Sequence, residues 1–157
     1  MATFIAKRED IERLYLCGLL HDIGKIKIQK EILEKKENLT DSEFKIIKQH
    51  PMEGYLMIKP YVTQSIAETS LLHHERLDGS GYPFGFRGDK IPFEAKLVMI
   101  VDAYDAMTVK RIYNNPVSSD AALIELNSLV SKYDKRVLDL LESTLRMGVT
   151  RRVRVSV

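Results

Sequence analysis

Residues 73 to 83 read His-His-Glu-Arg-Leu-Asp-Gly-Ser-Gly-Tyr-Pro, and no other stretch constrains the chain so strongly. Two adjacent imidazoles close an apolar run, and Asp78, Gly79, Gly81 and Pro83 follow at once. Glycine and proline at that density end a helix and force a turn, so nitrogen ligands stand at the mouth of a loop. The other histidines have comparable settings, with His21 preceding Asp22 and His50 preceding Pro51. Asp102 adds a carboxylate just after the apolar run from Leu97 to Val101. All four histidines therefore lie beside an acid or a helix boundary.

Helical patterning occupies most of the remaining chain. Asp10 is the expected cap of a first helix bearing Ile11, Leu14, Leu19 and Leu20, with His21 and Asp22 at its inner end. Lys25, three residues after Asp22, points toward the same region in a helical turn. Lys27 to Asn38 mixes lysine with glutamate and reads as a solvated, partly helical connection. Thr40-Asp41-Ser42-Glu43 is a capping box opening a helix through Phe44, Ile46 and Ile47 to about His50, where Pro51 bends the chain. A helix through Tyr55, Leu56 and Ile58 ends near Pro60, and another runs from Thr63 to His74. Gly79, Gly81, Gly85 and Gly88, with Tyr82, Pro83, Phe84 and Phe86 between them, form a loop with a short hairpin. Pro92 suits the first turn of a heavily buried helix, in which an unpaired Asp102 would be costly. Ser118 or Ser119 caps the next helix and Asp134 the last, which stops at Gly148. Val153, Val155 and Val157 then alternate with Arg152, Arg154 and Ser156 as a basic, strand-like tail.

The expected architecture is therefore all-α, one domain over residues 1–148 followed by the tail 149–157. A chain of 157 residues with 45% hydrophobic and 29% charged residues suits one domain with a real core. Lys and Arg outnumber Asp and Glu by 24 to 22, so net charge does not single out nucleic acid. Arg146, Arg151, Arg152 and Arg154 lack interleaved aromatics and read as a solvated face, although the tail could equally pair with a second chain. The single cysteine, Cys17, sits among leucines as a small buried hydrophobe, which rules out a disulfide framework. No apolar run is long enough to cross a bilayer and no leader pattern opens the chain, so a cytoplasmic protein without a membrane partner is expected.

Imidazoles and carboxylates without thiolates favour iron, manganese or zinc. An aspartate beside a histidine has a particular use, because its two oxygens can bridge metal ions about 3.5–4 Å apart while the histidine fills a coordination position. Such a pair holds a phosphate in line and activates water, which is phosphoester hydrolysis. Each residue alone has an ordinary reading, His50 as a surface or capping histidine and Asp102 as partner to a buried cation. Jointly, His21-Asp22, His50, His73-His74 and Asp102 make four ligand clusters with no histidine left over.

Taken together, His21-Asp22-Ile23-Gly24-Lys25, His50-Pro51-x-x-Gly54, His73-His74-Glu75-Arg76-x-Asp78-Gly79-x-Gly81-Tyr82-Pro83, Ile91-Pro92-x-Glu94-Ala95 and Asp102-x-x-Asp105-Ala106-Met107-Thr108 resemble the HD-GYP phosphodiesterases of the HD metal-dependent phosphohydrolases. The resemblance runs from about Leu14 to Val137. It implies an HD-domain helical bundle with a Gly-rich GYP loop that uses iron or manganese to hydrolyse cyclic di-GMP to pGpG or GMP through a bridging hydroxide. On this resemblance Asp22 bridges two divalent ions, His50, His73 and His74 serve one, and His21 and Asp102 serve the other. Lys25 assists at the phosphate, while Gly81, Tyr82, Pro83 and Arg111 lie on the nucleotide side. Family members carry a further histidine ligand on a preceding helix, and no histidine precedes His21 here. The resemblance therefore leaves that coordination position to water, a partner subunit, Glu9 or Glu12. A homodimer or a signalling partner is the further expectation, with a non-catalytic metal- or nucleotide-binding module as the alternative function.

Overall fold

The computed structural model describes residues 7–110 and 115–148. Arg111, and the tail expected to be strand-like, lie outside the described residues. The described chain is helical: α1 (Arg8–Leu20), α2 (Lys30–Leu33), α3 (Asp41–Ile47), α4 (His50–Ile58), α5 (Gln64–Leu72), α6 (Phe93–Thr108), α7 (Ser119–Ser128) and α8 (Lys135–Arg146). Two 3-10 turns, Ile23–Lys27 and Gly88–Lys90, interrupt the connections. Among the described residues there is no strand, and the expected hairpin reduces to a single antiparallel bridge between Asp78 and Arg87.

The polar residues at helix starts explain several boundaries. Thr40 Oγ1 accepts from the Glu43 N–H while the Glu43 carboxylate accepts from the Thr40 N–H, so the capping box is closed in both directions. Ser118 caps α7 and Asp134 caps α8 through side-chain oxygens. Asp10 does not cap α1; Lys7 occupies that position, and Asp10 lies in the first turn. The helix expected to reach His50 ends at Ile47, and Pro51 stands in the first turn of α4. Proline lacks the N–H that a first turn leaves unused, so it opens a helix here rather than ending one.

Helix α6 is the axis of the core. One face carries Ala95, Met99 and Ile100 into a cluster with Leu72, Ile91, Leu126, Tyr133, Val137 and Leu138, which joins α6 to α7 and α8. Val98 turns toward Cys17, Ile58, Ile66 and Ala67, joining it to α1, α4 and α5. Its burial is one-sided, because Phe93 and Val101 remain exposed. On α1, Ile11 and Leu19 are 56% and 60% exposed, so the inward stripe expected there reduces to Leu14, Leu16, Cys17 and Leu20.

One backbone contact determines where the histidines meet. A Cβ on Gly24 would lie 2.0 Å from the His50 carbonyl oxygen and 2.5 Å from the Gly54 nitrogen. A Cβ on Gly54 would lie 2.6 Å from Ser70 Oγ and 3.1 Å from the Gly24 nitrogen. Only glycine at both positions lets the turn after Asp22 rest on the start of α4 and α4 rest on α5. Asp22 is thereby brought to His50, and both come to the end of α5, where His73 and His74 emerge.

Candidate metal centre

Asp22, His50, His73 and His74 each offer a ligand atom, and these four atoms lie within 4.8 Å of one another. His50 and His73 are buried to 0% and 1% exposure, while Asp22 and His74 reach partway to the surface. Asp22 sits between α1 and the first 3-10 turn, His50 opens α4 and His73 follows α5. Ser70 ties these elements together, since its hydroxyl donates to the His21 carbonyl at 3.0 Å and its own carbonyl accepts from His73 Nδ1 at 2.8 Å.

The carbonyl contacts fix the tautomers. A carbonyl oxygen only accepts, so the 2.7 Å contact of His50 Nδ1 to Ile47 O requires a proton on Nδ1. The same holds for His73 against Ser70 and for His21 against Gly18, at 2.8 and 2.7 Å. In the neutral rings every Nε2 is then a bare lone pair, and those of His50 and His73 stand 3.3 Å apart. Both face Asp22 Oδ1, at 3.2 and 3.7 Å. His21 Nε2 lies 3.3 Å from Asp22 Oδ2. Asp22 Oδ1 and His21 Nε2 are buried without a hydrogen-bond partner. Acceptors directed at acceptors in a buried space repel unless a cation joins them, and imidazoles back-bonded through Nδ1 are the usual outer support of metal ligands.

The electrostatics agree with this arrangement. Burial opposes the charged form of Asp22, but contacts with His21, His50, His73 and Lys25 outweigh it and hold the carboxyl far below the usual carboxylate range. His74 is pushed down to about 2, first by burial and then by the neighbouring His73 and His50. Burial also lowers His73, against the pull of Asp22. His21 moves up: burial lowers it, yet its contact with Asp22 prevails. A neutral imidazole and an ionised carboxylate are the forms that bind metals.

Lys25 Nζ donates to Asp22 Oδ2 at 2.6 Å, within the turn its spacing predicts. His21, in contact with Asp22 and edge-on to His73, lines a cavity of about 260 Å³ together with Asp102, Leu14, Leu97, Val98 and Asp105. Tyr82 stacks on the His74 ring with centroids 4.8 Å apart, and Gly81 crosses so close to Glu75 that a Cβ would lie 2.4 Å from its backbone. Pro83 is exposed beyond it and follows a cis peptide bond.

Sequence reasoning missed Glu75. Its carboxylate is fully buried, with Oε1 accepting from the Phe84 N–H at 2.8 Å and Oε2 from the Phe86 N–H at 2.9 Å. Glu75 therefore pins the loop that carries Tyr82. Its position directly after the paired histidines was the only available signal. Lys48, Arg76 and Lys132 were also passed over; with His74 and Tyr82 they line a second cavity of about 250 Å³.

Comparison with known proteins agrees with this geometry. A family model described as HD domain matches residues 5–137. A cyclic di-GMP phosphodiesterase of Thermotoga maritima is 43% identical over 133 residues, covering 82% of this chain and 36% of that protein. A 3'3'-cGAMP-specific phosphodiesterase 1 of Vibrio cholerae is 37% identical over 131 residues, covering 82% of this chain and 30% of that one. The chain thus spans about a third of the length of these curated relatives. Among solved structures, Bd1817, an HDG"Y"P protein from Bdellovibrio bacteriovorus, superposes with a TM-score of 0.71 at 23% identity, covering 90% of this chain and 46% of that one. The helical fold is shared at that distance.

Proposed function

We propose a function from one premise: the chain belongs to the HD domain family, in its HD-GYP branch. The proposed activity is metal-dependent phosphodiester hydrolysis of a cyclic dinucleotide, with cyclic di-GMP as substrate and pGpG or GMP as product. The names of the relatives support the substrate class. The observation that carries the reading is the convergence of the His50 and His73 Nε2 lone pairs, whose Nδ1 protons are given to backbone carbonyls, on Asp22 Oδ1. The donor set, nitrogen and oxygen without thiolate, fits iron, manganese or zinc, and the family resemblance narrows the choice to iron or manganese.

Two bound ions would supply neutralising charge at the phosphoryl oxygens and water that ionises near neutral pH. This chain's residues supply the rest. Asp22 divides its oxygens, Oδ1 toward His50 and His73 and Oδ2 toward His21, which is the division a bridging carboxylate needs. His50, His73 and His74 would hold one ion, and His21 with Asp102 the other. Lys25 keeps a cation at the edge of the centre and presents it to the phosphate. Tyr82, fixed against His74, bounds the nucleotide side with Gly81 and Pro83, and the family motif adds Arg111 to that side.

The test is turnover of cyclic di-GMP and 3'3'-cGAMP by protein loaded with iron or manganese under reducing conditions. Linear product from the unmodified chain, reduced more than about 100-fold in Asp22→Ala, is expected. No linear product from either nucleotide would sink the enzyme reading and leave a binding module. Linear product from 3'3'-cGAMP alone would move the substrate assignment.

A further inference from the structure

We infer that the cleft beside His74 is a second phosphate site, where Lys48, Arg76 and Lys132 receive the phosphate of a cyclic dinucleotide that is not being cleaved. This rests on the hydrolase reading above and adds how the substrate is selected. The cleft shares His74 with the metal centre and is walled by Tyr82 and Phe44. Its three cations come from separate parts of the fold: the end of α3, the segment after α5, and the turn before α8.

The Lys48 and Arg76 head groups are held in place, and Lys132 is positioned through its backbone. Lys48 Nζ lies 4.6 Å from the Phe44 ring centre and 5.3 Å from that of Tyr82, a cation between aromatic faces. The Arg76 guanidinium sits 5.3 Å over the Tyr133 ring and donates to the Glu75 carbonyl at 2.8 Å. The Lys132 carbonyl accepts from the Leu77 N–H at 3.0 Å, which fixes the α7–α8 turn against the loop. Among the described residues none of the three is ion-paired with a carboxylate within 4 Å. Asp78 feels the charge of Lys132, but its Oδ1 accepts from the Ser80 N–H and hydroxyl, at 2.9 and 2.7 Å. Half-buried like charges gathered without an acid repel one another, and an anion relieves that repulsion. Arginine offers a planar fork and lysine a point charge, which are the common means of holding phosphate.

The chemistry of the substrate supplies the reason for two sites. A cyclic dinucleotide carries two phosphodiesters on opposite sides of one ring. With one at the metals and Lys25, the other projects away and meets the neighbouring cleft. A substrate with one phosphate gains nothing there. Lys48 and Lys132 therefore act in specificity, and neither belongs to the sequence motifs that define the branch.

The experiment compares the unmodified protein with the double variant Lys48→Gln, Lys132→Gln and with Lys48→Arg, Lys132→Arg. Hydrolysis of cyclic di-GMP and of bis(p-nitrophenyl) phosphate by metal-loaded protein is read together with equilibrium dialysis of cyclic di-GMP against chelator-treated protein. The glutamine pair should weaken dialysis affinity about tenfold or more and lower the efficiency ratio of cyclic di-GMP to bis(p-nitrophenyl) phosphate by the same factor, through KM. The arginine pair should recover most of both. An unchanged ratio and affinity in the glutamine pair would overturn the inference while leaving the hydrolase reading intact. Binding of cyclic di-GMP that depends on these lysines, without turnover by the unmodified protein, would retain the cleft and sink the hydrolase reading.

Discussion

The two sides of Asp22 differ in how completely the fold has prepared them. On the α4–α5 side, His50 and His73 are buried, each ring is fixed through Nδ1 on a backbone carbonyl, and Tyr82 covers His74. On the α1–α6 side, His21 has a fixed Nδ1 but faces a cavity of about 260 Å³ with Asp102 across it. A ligand set already in position loses little freedom when it binds, whereas an open set must still be gathered. If ions bind on both sides, the closed side should therefore take its ion first and more tightly, while the open side should depend on what enters the cavity.

The largest expected contrast is in turnover. His73→Ala should cost more than about 100-fold, and Asp102→Ala about 10- to 100-fold, measured on cyclic di-GMP with iron or manganese in excess. Equal losses would show that the two sides are not unequal in the way described.

Glu75→Ala attacks the support of the closed side without removing a ligand. The N–H groups of Phe84 and Phe86 lose their buried acceptor, so the variant should be destabilised by about 1–3 kcal/mol in urea unfolding. Its manganese affinity should fall about tenfold as the loop carrying Tyr82 loosens. Glu75→Gln replaces one acceptor by a donor and should lie between the two proteins.

Glycine substitutions should separate the two sides by sign. Gly24→Ala drives a Cβ into the His50 backbone and should cost about 1–3 kcal/mol, together with the fit of Asp22 to His50. Gly18 lies within α1 with nothing inside 4 Å of an added Cβ, so Gly18→Ala should stabilise by up to about 1 kcal/mol. Thermal or urea unfolding reads both.

The smallest effect is in pH. His74 is pushed down to about 2, so in the metal-free protein it is neutral across pH 6–8 and binds an ion without releasing a proton, and burial shifts His73 in the same direction. His21 is raised above the ordinary value of about 6.5, so an ion on its side must displace a proton until the pH exceeds that raised value. Manganese titrations between pH 6 and 8 should show a nearly constant first affinity and a second that increases with pH.

The convergence of Asp22, His50, His73 and His74 was legible in the sequence because few residue types bind metals and all four histidines stood in telling places. The capping box at Thr40 was legible for the same reason, since its chemistry is local. What escaped was set by partners distant in sequence. Glu75 has no assigned role within its motif until the backbone donors nine and eleven residues later are seen against it. Gly24 and Gly54 stand in separate motifs, and nothing local shows that they make a mutual close approach. Lys48 and Lys132 look like ordinary surface charge, because a cleft formed by separate elements leaves no periodic trace. Ile11 and Leu19 err in the opposite direction, since helical spacing predicts a stripe but not whether anything covers it.

Metal content per chain in the unmodified protein and in Asp22→Ala, after anaerobic loading with iron or manganese and gel filtration, tests the centre most directly. The geometry predicts two ions per chain in the former and the loss of both in the latter, with the fold retained by circular dichroism. An unmodified chain that holds no ion, or an Asp22→Ala protein that keeps both, would contradict it.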